Sequence, residues 1–177
     1  MKNTTKQIVL KITLGGLLLA LGVLIPQVFH VFGQQAGSMF LPMHLSVLIA
    51  GFFLGGTYGS VIGAVTPLLS FLFTGMPPAA RLVFMMIELA VYGGASGLFY
   101  KKLKLNIYIS LILSQLCGRT AYYLSLITAA HLIGMNIPTW AAVVDATVTG
   151  LPGIVLQIAV VPIVVIALKK GVALNDR

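Results

Sequence analysis

The residues of this sequence best suited to chemistry are three charged side chains that lie far from any polar end of the chain: Glu88, Arg119 and Asp145. Each falls within a long apolar stretch. A charge inside a lipid bilayer costs enough free energy that it usually marks a solute path or a binding pocket. Arg81 lies near the start of the same stretch as Glu88 and could add a second cation. The chemistry these residues suggest is the binding of a polar solute through ion pairs and hydrogen bonds.

The depths of these residues follow from counting about 1.5 Å of rise per residue from the outer end of each predicted helix. His44, Arg81 and Asp145 are then expected within about 10 Å of the outer face. Glu88 lies one or two turns deeper, and Arg119 lies near the middle. One interpretation is a pocket that opens to the outside. The alternative is that Glu88 and Arg119 form a buried ion pair that only neutralises itself, and that His44 is a capping or packing residue. A structural ion pair and a pocket are compatible.

Further polar residues share a predicted helix with Arg119. Gln115, Tyr122 and Tyr123 lie three or four residues from it, so they are near neighbours on the helix surface. A strip of guanidinium, amide and phenol groups suits a small organic molecule with a flat or carbonyl-bearing part. The sequence therefore predicts that these residues contact the solute together with Arg119.

Two predicted outer loops supply the remaining candidates. Gln34 lies in the longest connection, residues 27–39, which is polar and glycine-containing and could close over a pocket as a lid. The alternative is that this loop is a plain connector. Asn136 lies in the last outer loop, close to Trp140, which is expected to anchor the chain at the membrane interface.

The composition identifies the solvent of this chain. Hydrophobic residues make up 59% of the sequence and charged residues 8%, and the mean hydropathy is +1.05. These values are typical of an integral membrane protein, and 177 residues predict a single domain, residues 1–177. In a soluble protein a net charge of +8 would suggest nucleic acid as a partner, but nine of the eleven cations can be placed at one membrane face. The basic residues therefore indicate topology, and no nucleic-acid partner is predicted.

The hydropathy pattern predicts an all-α fold, a compact bundle of six transmembrane helices. Six crossings place both termini on the same side, together with all three basic clusters, so this side is predicted to be the cytoplasm. The predicted location is the plasma membrane of a prokaryote, with the chain inserted as a multi-pass protein. The predicted helices cover residues 8–25, 40–54, 58–73, 79–100, 106–133 and 140–168.

Small residues recur at a spacing of four along the predicted helices. Such strips let two helix backbones approach closely, which drives packing in a membrane. Most are expected to pack inside the bundle, whereas the strip of Gly16 and Ala20 on the first helix could contact another membrane protein. The strips are Gly16 and Ala20; Gly51 and Gly55; Gly59 and Gly63; Gly93 and Gly97; and Ala142, Ala146 and Gly150.

Enzymatic activity is not expected from this sequence. The three histidines, His30, His44 and His131, are isolated, so no metal-binding motif exists, and Ser96 only weakly resembles a nucleophile site. The chain lacks a Gly-x-x-x-x-Gly-Lys-Ser/Thr motif, so any ATP hydrolysis must come from a partner. No metal or cofactor is predicted.

Four segments of the predicted second to fourth helices and their connections form a recognisable pattern: Leu41 to Phe52 (LPMHLSVLIAGF), Gly55 to Gly59 (GGTYG), Thr74 to Pro78 (TGMPP) and Glu88 to Gly93 (ELAVYG). Together with six short helices and a long first outer loop, they resemble the substrate-binding (S) components of energy-coupling factor (ECF) vitamin transporters. The likeness extends over essentially the whole chain. The resemblance implies a subunit that captures a water-soluble vitamin or precursor from outside, with the first outer loop closing over the pocket.

The resemblance also implies partners. S components work with a transmembrane coupling subunit and two cytoplasmic ATPases, and are thought to topple in the membrane to release the solute. They contact the coupling subunit through an Ala-x-x-x-Ala motif on the first helix, to which Gly16 and Ala20 are the nearest match. Pantothenate, whose carboxylate could face Arg81 or Arg119, and cobalamin are the leading candidates for the solute. A proton-coupled secondary carrier using Glu88 or Asp145, and a structural subunit without a solute, stay as alternatives.

Overall fold

The computed structural model describes residues 2–31, 33–134 and 139–171, and all regular structure in these ranges is helical. Five helical segments in the described ranges are long and apolar enough to cross a membrane. A further helix of 27 residues has the length to cross, but polar residues such as Gln115 and Arg119 lower its hydropathy. The elements are α1 (Lys2–His30), α2 (Gln34–Phe40), α3 (Pro42–Leu54), α4 (Gly56–Thr74), α5 (Ala79–Gly97) with a π-helical extension (Leu98–Lys102), α6 (Ile107–Ile133), α7 (Thr139–Thr149) and α8 (Leu151–Gly171). The prediction of an all-α membrane bundle is confirmed.

The structure differs from the predicted helix pattern at both ends of the chain. The first helix was expected to stop near Pro26, but α1 continues through it to His30, and most of the remaining predicted loop forms α2. Proline is tolerated inside membrane helices because neighbouring helices compensate for the missing hydrogen bond. The last predicted helix, residues 140–168, is divided at Gly150 into α7 and α8. Pro152 has no N–H to donate, so it is best placed in the first turn of a new helix.

Helix α3 forms the centre of the bundle. Twelve of its thirteen residues are buried, and it contacts α1, α4, α5 and α8. Val47, Leu48 and Phe52 are completely inaccessible to solvent. A helix that is apolar on all sides is stable only when neighbours cover every face. The other helices therefore pack around α3.

Glycines bring α3, α4 and α5 into backbone contact. Gly59 of α4 faces Gly93 of α5, and Gly63 of α4 faces the carbonyl group of Leu89. A Cβ atom added at any of these glycines would collide with the backbone of the facing helix. The α3–α4 hairpin turns at Gly55, whose φ of 105° favours glycine. The predicted close packing of these small-residue strips is present.

The two ends of the bundle differ in charge. At the end where α1 starts and α8 finishes, the Lys169 ammonium group donates a hydrogen bond of 3.1 Å to the Tyr100 hydroxyl, and Lys11 lies over the Tyr58 ring. The lysines of the described ranges all belong to this end, where the sequence predicts the cytoplasm. Arg177 of the predicted basic clusters lies outside the described residues. The opposite end contains the candidate site.

Candidate functional site

A cavity of about 590 Å³ lies at the end of the bundle opposite the lysines. Its wall is built from α2, the start of α3, the α4–α5 connection, α5, α6 and α7. Pro26 of α1 and Ser70 of α4 complete the wall. Cavities of this size are typical of small-molecule sites.

Three helices each direct one stripe of side chains into this cavity. The stripes have the i, i+3, i+4, i+7 spacing that places residues on one helix face, with position i+4 unused on α6. Because the three faces converge, side chains far apart in sequence share one wall. The stripes are Arg81, Phe84, Met85 and Glu88 on α5; Arg119, Tyr122 and Leu126 on α6; and Ala142, Asp145, Ala146 and Thr149 on α7.

An ion pair joins these helices at the buried side of the cavity. The Arg119 Nη1 atom lies 2.9 Å from the Glu88 Oε1 atom, and the two side chains are 13% and 5% exposed. Arg119 also donates a hydrogen bond of 3.4 Å through Nη2 to the Ala146 carbonyl oxygen. Arg119 therefore connects α5, α6 and α7.

His44 lies beside this ion pair at the start of α3. Its Nε2 atom is 3.9 Å from Glu88 Oε1, and its ring contacts the Tyr92 ring edge-on at a centroid distance of 5.2 Å. The residue is 2% exposed, and neither ring nitrogen forms a hydrogen bond. Buried polar atoms are nearly always hydrogen-bonded, so two unsatisfied nitrogens at a cavity wall indicate a position prepared for a ligand or water.

Two further charges lie at the solvent-facing side of the cavity. Arg81 at the start of α5 and Asp145 on α7 are both exposed, and neither forms an ion pair within the described residues. They carry opposite charges on different walls. The rim of the cavity therefore offers an unpaired cation and an unpaired anion.

The junction of α2 and α3 packs against a notch formed by two glycines. A Cβ atom at Gly150 would lie 2.8 Å from the Leu41 side chain, and one at Gly153 would lie 2.7 Å from the Phe40 carbonyl carbon. Leu41, with φ of 48°, sits in the left-handed region between the two helices. The notch thus positions α2, which supplies Gln35, Gly37 and Ser38 to the cavity.

The structure brings six of the predicted site residues together and places two elsewhere. Gln115 donates a hydrogen bond of 2.9 Å to Gln157 in the bundle interior, and Tyr123 is 36% exposed on the outer surface of α6; neither lines the cavity. The Gln34 side chain and Asn136 lie outside the described residues. The six that line the cavity are His44, Arg81, Glu88, Arg119, Tyr122 and Asp145.

Much of the wall consists of residues that the sequence analysis did not single out. Phe84 and Met85 share the α5 stripe with Arg81 and Glu88, so helical spacing from the two charges could have identified them. The same holds for Leu126 on α6. Met43 and Ser70 carry no comparable signal, because only the packing of α3 and α4 brings them to the wall.

No group of three or more His, Cys, Asp or Glu side chains that could hold a metal occurs in the described part of the chain. The cavity instead combines one compensated ion pair, one imidazole without a hydrogen bond, two rim charges, neutral polar groups such as the Tyr122 phenol and the Ser38 hydroxyl, and apolar residues. Such a set can bind and orient a small molecule.

Comparison with known proteins gives a family. The substrate-specific components of ECF transporters match the chain over residues 10–165. No curated protein and no solved structure gave a significant match.

Proposed function

Since this chain belongs to the substrate-specific components of ECF transporters, we propose that its cavity captures a water-soluble vitamin or vitamin precursor for import. The observation that carries this proposal is the convergence of the α5, α6 and α7 stripes on one cavity beside the Glu88–Arg119 ion pair. Apolar walls with a few convergent polar groups are typical of sites that bind and orient a small molecule.

The cavity size favours a compact vitamin. About 590 Å³ suits a molecule such as pantothenate, whose carboxylate could pair with Arg81 or Arg119. Cobalamin is a macrocycle several times larger than pantothenate, so most of it would have to remain outside the cavity. Pantothenate is therefore the first candidate, and other small water-soluble vitamins come next.

Delivery requires partners in this proposal. A transmembrane coupling subunit and two cytoplasmic ATPases supply the driving force, and the chain topples in the plasma membrane to release the vitamin inward. The face of α1 that carries Gly16 and Ala20 supports such a contact, because Ala20 is exposed and a Cβ atom at Gly16 would meet nothing within 4 Å. Small residues let a partner helix approach closely. Gly16 and Ala20 are the proposed partner-docking residues.

Reconstitution in liposomes tests this function against its alternatives. The chain alone should bind a vitamin without transporting it, and uptake should require the coupling subunit, the ATPases and ATP. Uptake by the chain alone, driven by a proton gradient, would instead identify a secondary carrier. A structural subunit would bind no vitamin in either preparation.

A further inference from the structure

The charged side chains that line the cavity cancel one another. Two cations, Arg81 and Arg119, and two anions, Glu88 and Asp145, face it within the described ranges. The Arg, Glu and Asp side chains of the lining therefore sum to no net charge. A cavity of this kind does not select a ligand by overall charge, so the positions of the charges decide which ligand group binds where.

The charges at the buried side of the cavity are paired, whereas those at its rim are not. The buried side of the cavity is formed by His44, Glu88 and Arg119, and we call it the floor. There Glu88 and Arg119 neutralise each other at 2.9 Å. At the rim, Arg81 and Asp145 are exposed and form no ion pair with any described residue. Among the described residues that line the cavity, unpaired charge is therefore available only at the rim.

An ionised ligand group is disfavoured at the floor. A carboxylate placed against Arg119 would also approach Glu88, and an ammonium placed against Glu88 would approach Arg119. Both arrangements oppose like charges where little water screens them. A neutral group avoids this repulsion.

The floor offers hydrogen-bonding atoms that suit a neutral group. Both ring nitrogens of His44 and Nε of Arg119 are buried without a hydrogen bond, and Oε1 of Glu88 lies 2.9 Å from Arg119 Nη1. A neutral imidazole contributes one donor and one acceptor, Arg119 Nε–H is a donor, and a carboxylate oxygen is an acceptor. Hydroxyl and amide groups can donate and accept at the same time, and so can satisfy both kinds of atom.

We propose that the floor formed by His44, Glu88 and Arg119 binds an uncharged hydroxyl or amide head of the vitamin, while any carboxylate of the vitamin lies at the rim beside Arg81. This inference rests on the proposed function and narrows its substrate class. The ligand has a neutral polar head, an apolar middle against Phe84 and Met85, and an ionised group, if any, at the far end. A ligand whose recognition depends on a charged head is excluded.

The test uses the full chain in detergent micelles and calorimetry with matched vitamin pairs. The pairs are pantothenate and pantothenol, biotin and biotin amide, nicotinate and nicotinamide, and riboflavin and its 5′-phosphate; thiamine serves as a cationic probe. The first two pairs differ in a carboxylate remote from a neutral polar head. We expect the tightest binder to come from these two pairs or to be riboflavin or nicotinamide. Tightest binding of nicotinate, thiamine or the phosphate ester would overturn the inference.

Substitutions of the lining residues then show the orientation of the bound vitamin. Arg81→Gln should weaken the carboxylate form at least tenfold relative to its uncharged partner. In the Glu88→Gln background this difference should shrink, because Arg119 then offers the carboxylate a second unpaired cation. An unchanged ratio in Arg81→Gln, with the loss appearing in Arg119→Gln instead, would place the carboxylate at the floor. For an uncharged binder, Arg81→Gln should change affinity less than threefold and His44→Phe should weaken it at least tenfold; the reverse order would contradict the assignment.

The outcomes separate this inference from the proposed function. Tight binding of a vitamin with the wrong end at the floor would remove the inference and leave the function intact. Absence of binding by every vitamin would remove both. Thermal unfolding of each variant checks that lost affinity is not lost folding.

Discussion

Glu88 and Arg119 form an ion pair of 2.9 Å between two helices at the wall of a cavity. Glu88 lies on α5 and Arg119 on α6, and the arginine also reaches the Ala146 carbonyl oxygen on α7. The pair is therefore both a structural link and part of the cavity wall. A substitution here must be tested for stability and for binding separately.

Replacing one partner of this pair should destabilise the protein. Arg119→Gln leaves the Glu88 carboxylate buried without its cation, and breaking a buried pair in this way costs about 3–5 kcal/mol. We expect a lower midpoint of thermal unfolding in detergent. Vitamin affinity should fall in the same variant, because Arg119 lines the cavity.

The double variant Glu88→Gln/Arg119→Gln is the control for charge. It removes both charges, so a large part of the stability lost in Arg119→Gln should return. Vitamin binding should stay weak, because the polar surface of the floor has changed. A double variant as unstable as Arg119→Gln alone would show that the ion pair is not what stabilises the contact.

The glycine contacts between α4 and α5 predict a packing defect. In Gly63→Ala the three atoms nearest the new methyl group would be backbone atoms of Leu89 and Ala90, which cannot move aside without separating the helices. Overpacking of this kind costs about 1–3 kcal/mol. Thermal unfolding measures the effect.

Gly16→Ala is the matched control, since the same methyl group would meet nothing within 4 Å at that position. Alanine has the higher helix propensity by up to about 1 kcal/mol, so this variant should be as stable as the wild type or more stable. Equal destabilisation of both variants would contradict the close approach of α4 and α5.

The buried amide pair predicts a stability effect without a binding effect. Gln115→Leu removes the donor to Gln157 and leaves a buried acceptor unsatisfied, which costs about 1–3 kcal/mol. The additional change Gln157→Leu should restore much of that stability. Calorimetry should find vitamin affinity within about twofold of wild type in the double variant. A selective loss of affinity would return Gln115 to the binding site.

The small-residue face of α1 is the proposed contact with the coupling subunit, and substitutions there test it. Gly16→Leu and Ala20→Leu should abolish co-purification of the coupling subunit, because bulky side chains prevent close helix approach. Vitamin binding and thermal stability should not change, since a Cβ atom at Gly16 would meet nothing within 4 Å and Ala20 is exposed. Ala159→Leu, at an exposed alanine of α8, is the control and should keep the partner. Loss of the partner in that control alone would place the contact elsewhere.

The helices could be predicted where the length of an apolar run, and a proline or glycine at its end, determine them. The start of α5 after Pro77 and Pro78 and the hairpin at Gly55 follow from backbone chemistry alone. Pro152 is a local signal for a helix start near Gly150, whereas the packing of Gly150 and Gly153 against Leu41 and Phe40 is a tertiary contact. Such tertiary contacts leave no local signal.

The sequence was sufficient to predict the charged residues of the cavity, but not which of their neighbours on the same helix also line it. Charges in apolar stretches identified Arg81, Glu88, Arg119 and Asp145, and all of them line one cavity. Spacing along α6 also suggested Gln115 and Tyr123, which lie outside it. Helical spacing gives neighbours on one helix, whereas the rotation of that helix against others decides which neighbours face the cavity.

Filling the cavity tests the central claim most directly. The measurement is a calorimetric titration of the purified chain with a panel of water-soluble vitamins, repeated on Ala142→Trp and Val148→Trp. Ala142 lines the cavity, whereas Val148 is 59% exposed on α7 and is not part of the wall. We predict tight binding of one vitamin by the wild type and Val148→Trp, and loss of at least a hundredfold in affinity in Ala142→Trp. Unchanged affinity in Ala142→Trp, or no vitamin bound by the wild type, would contradict the account.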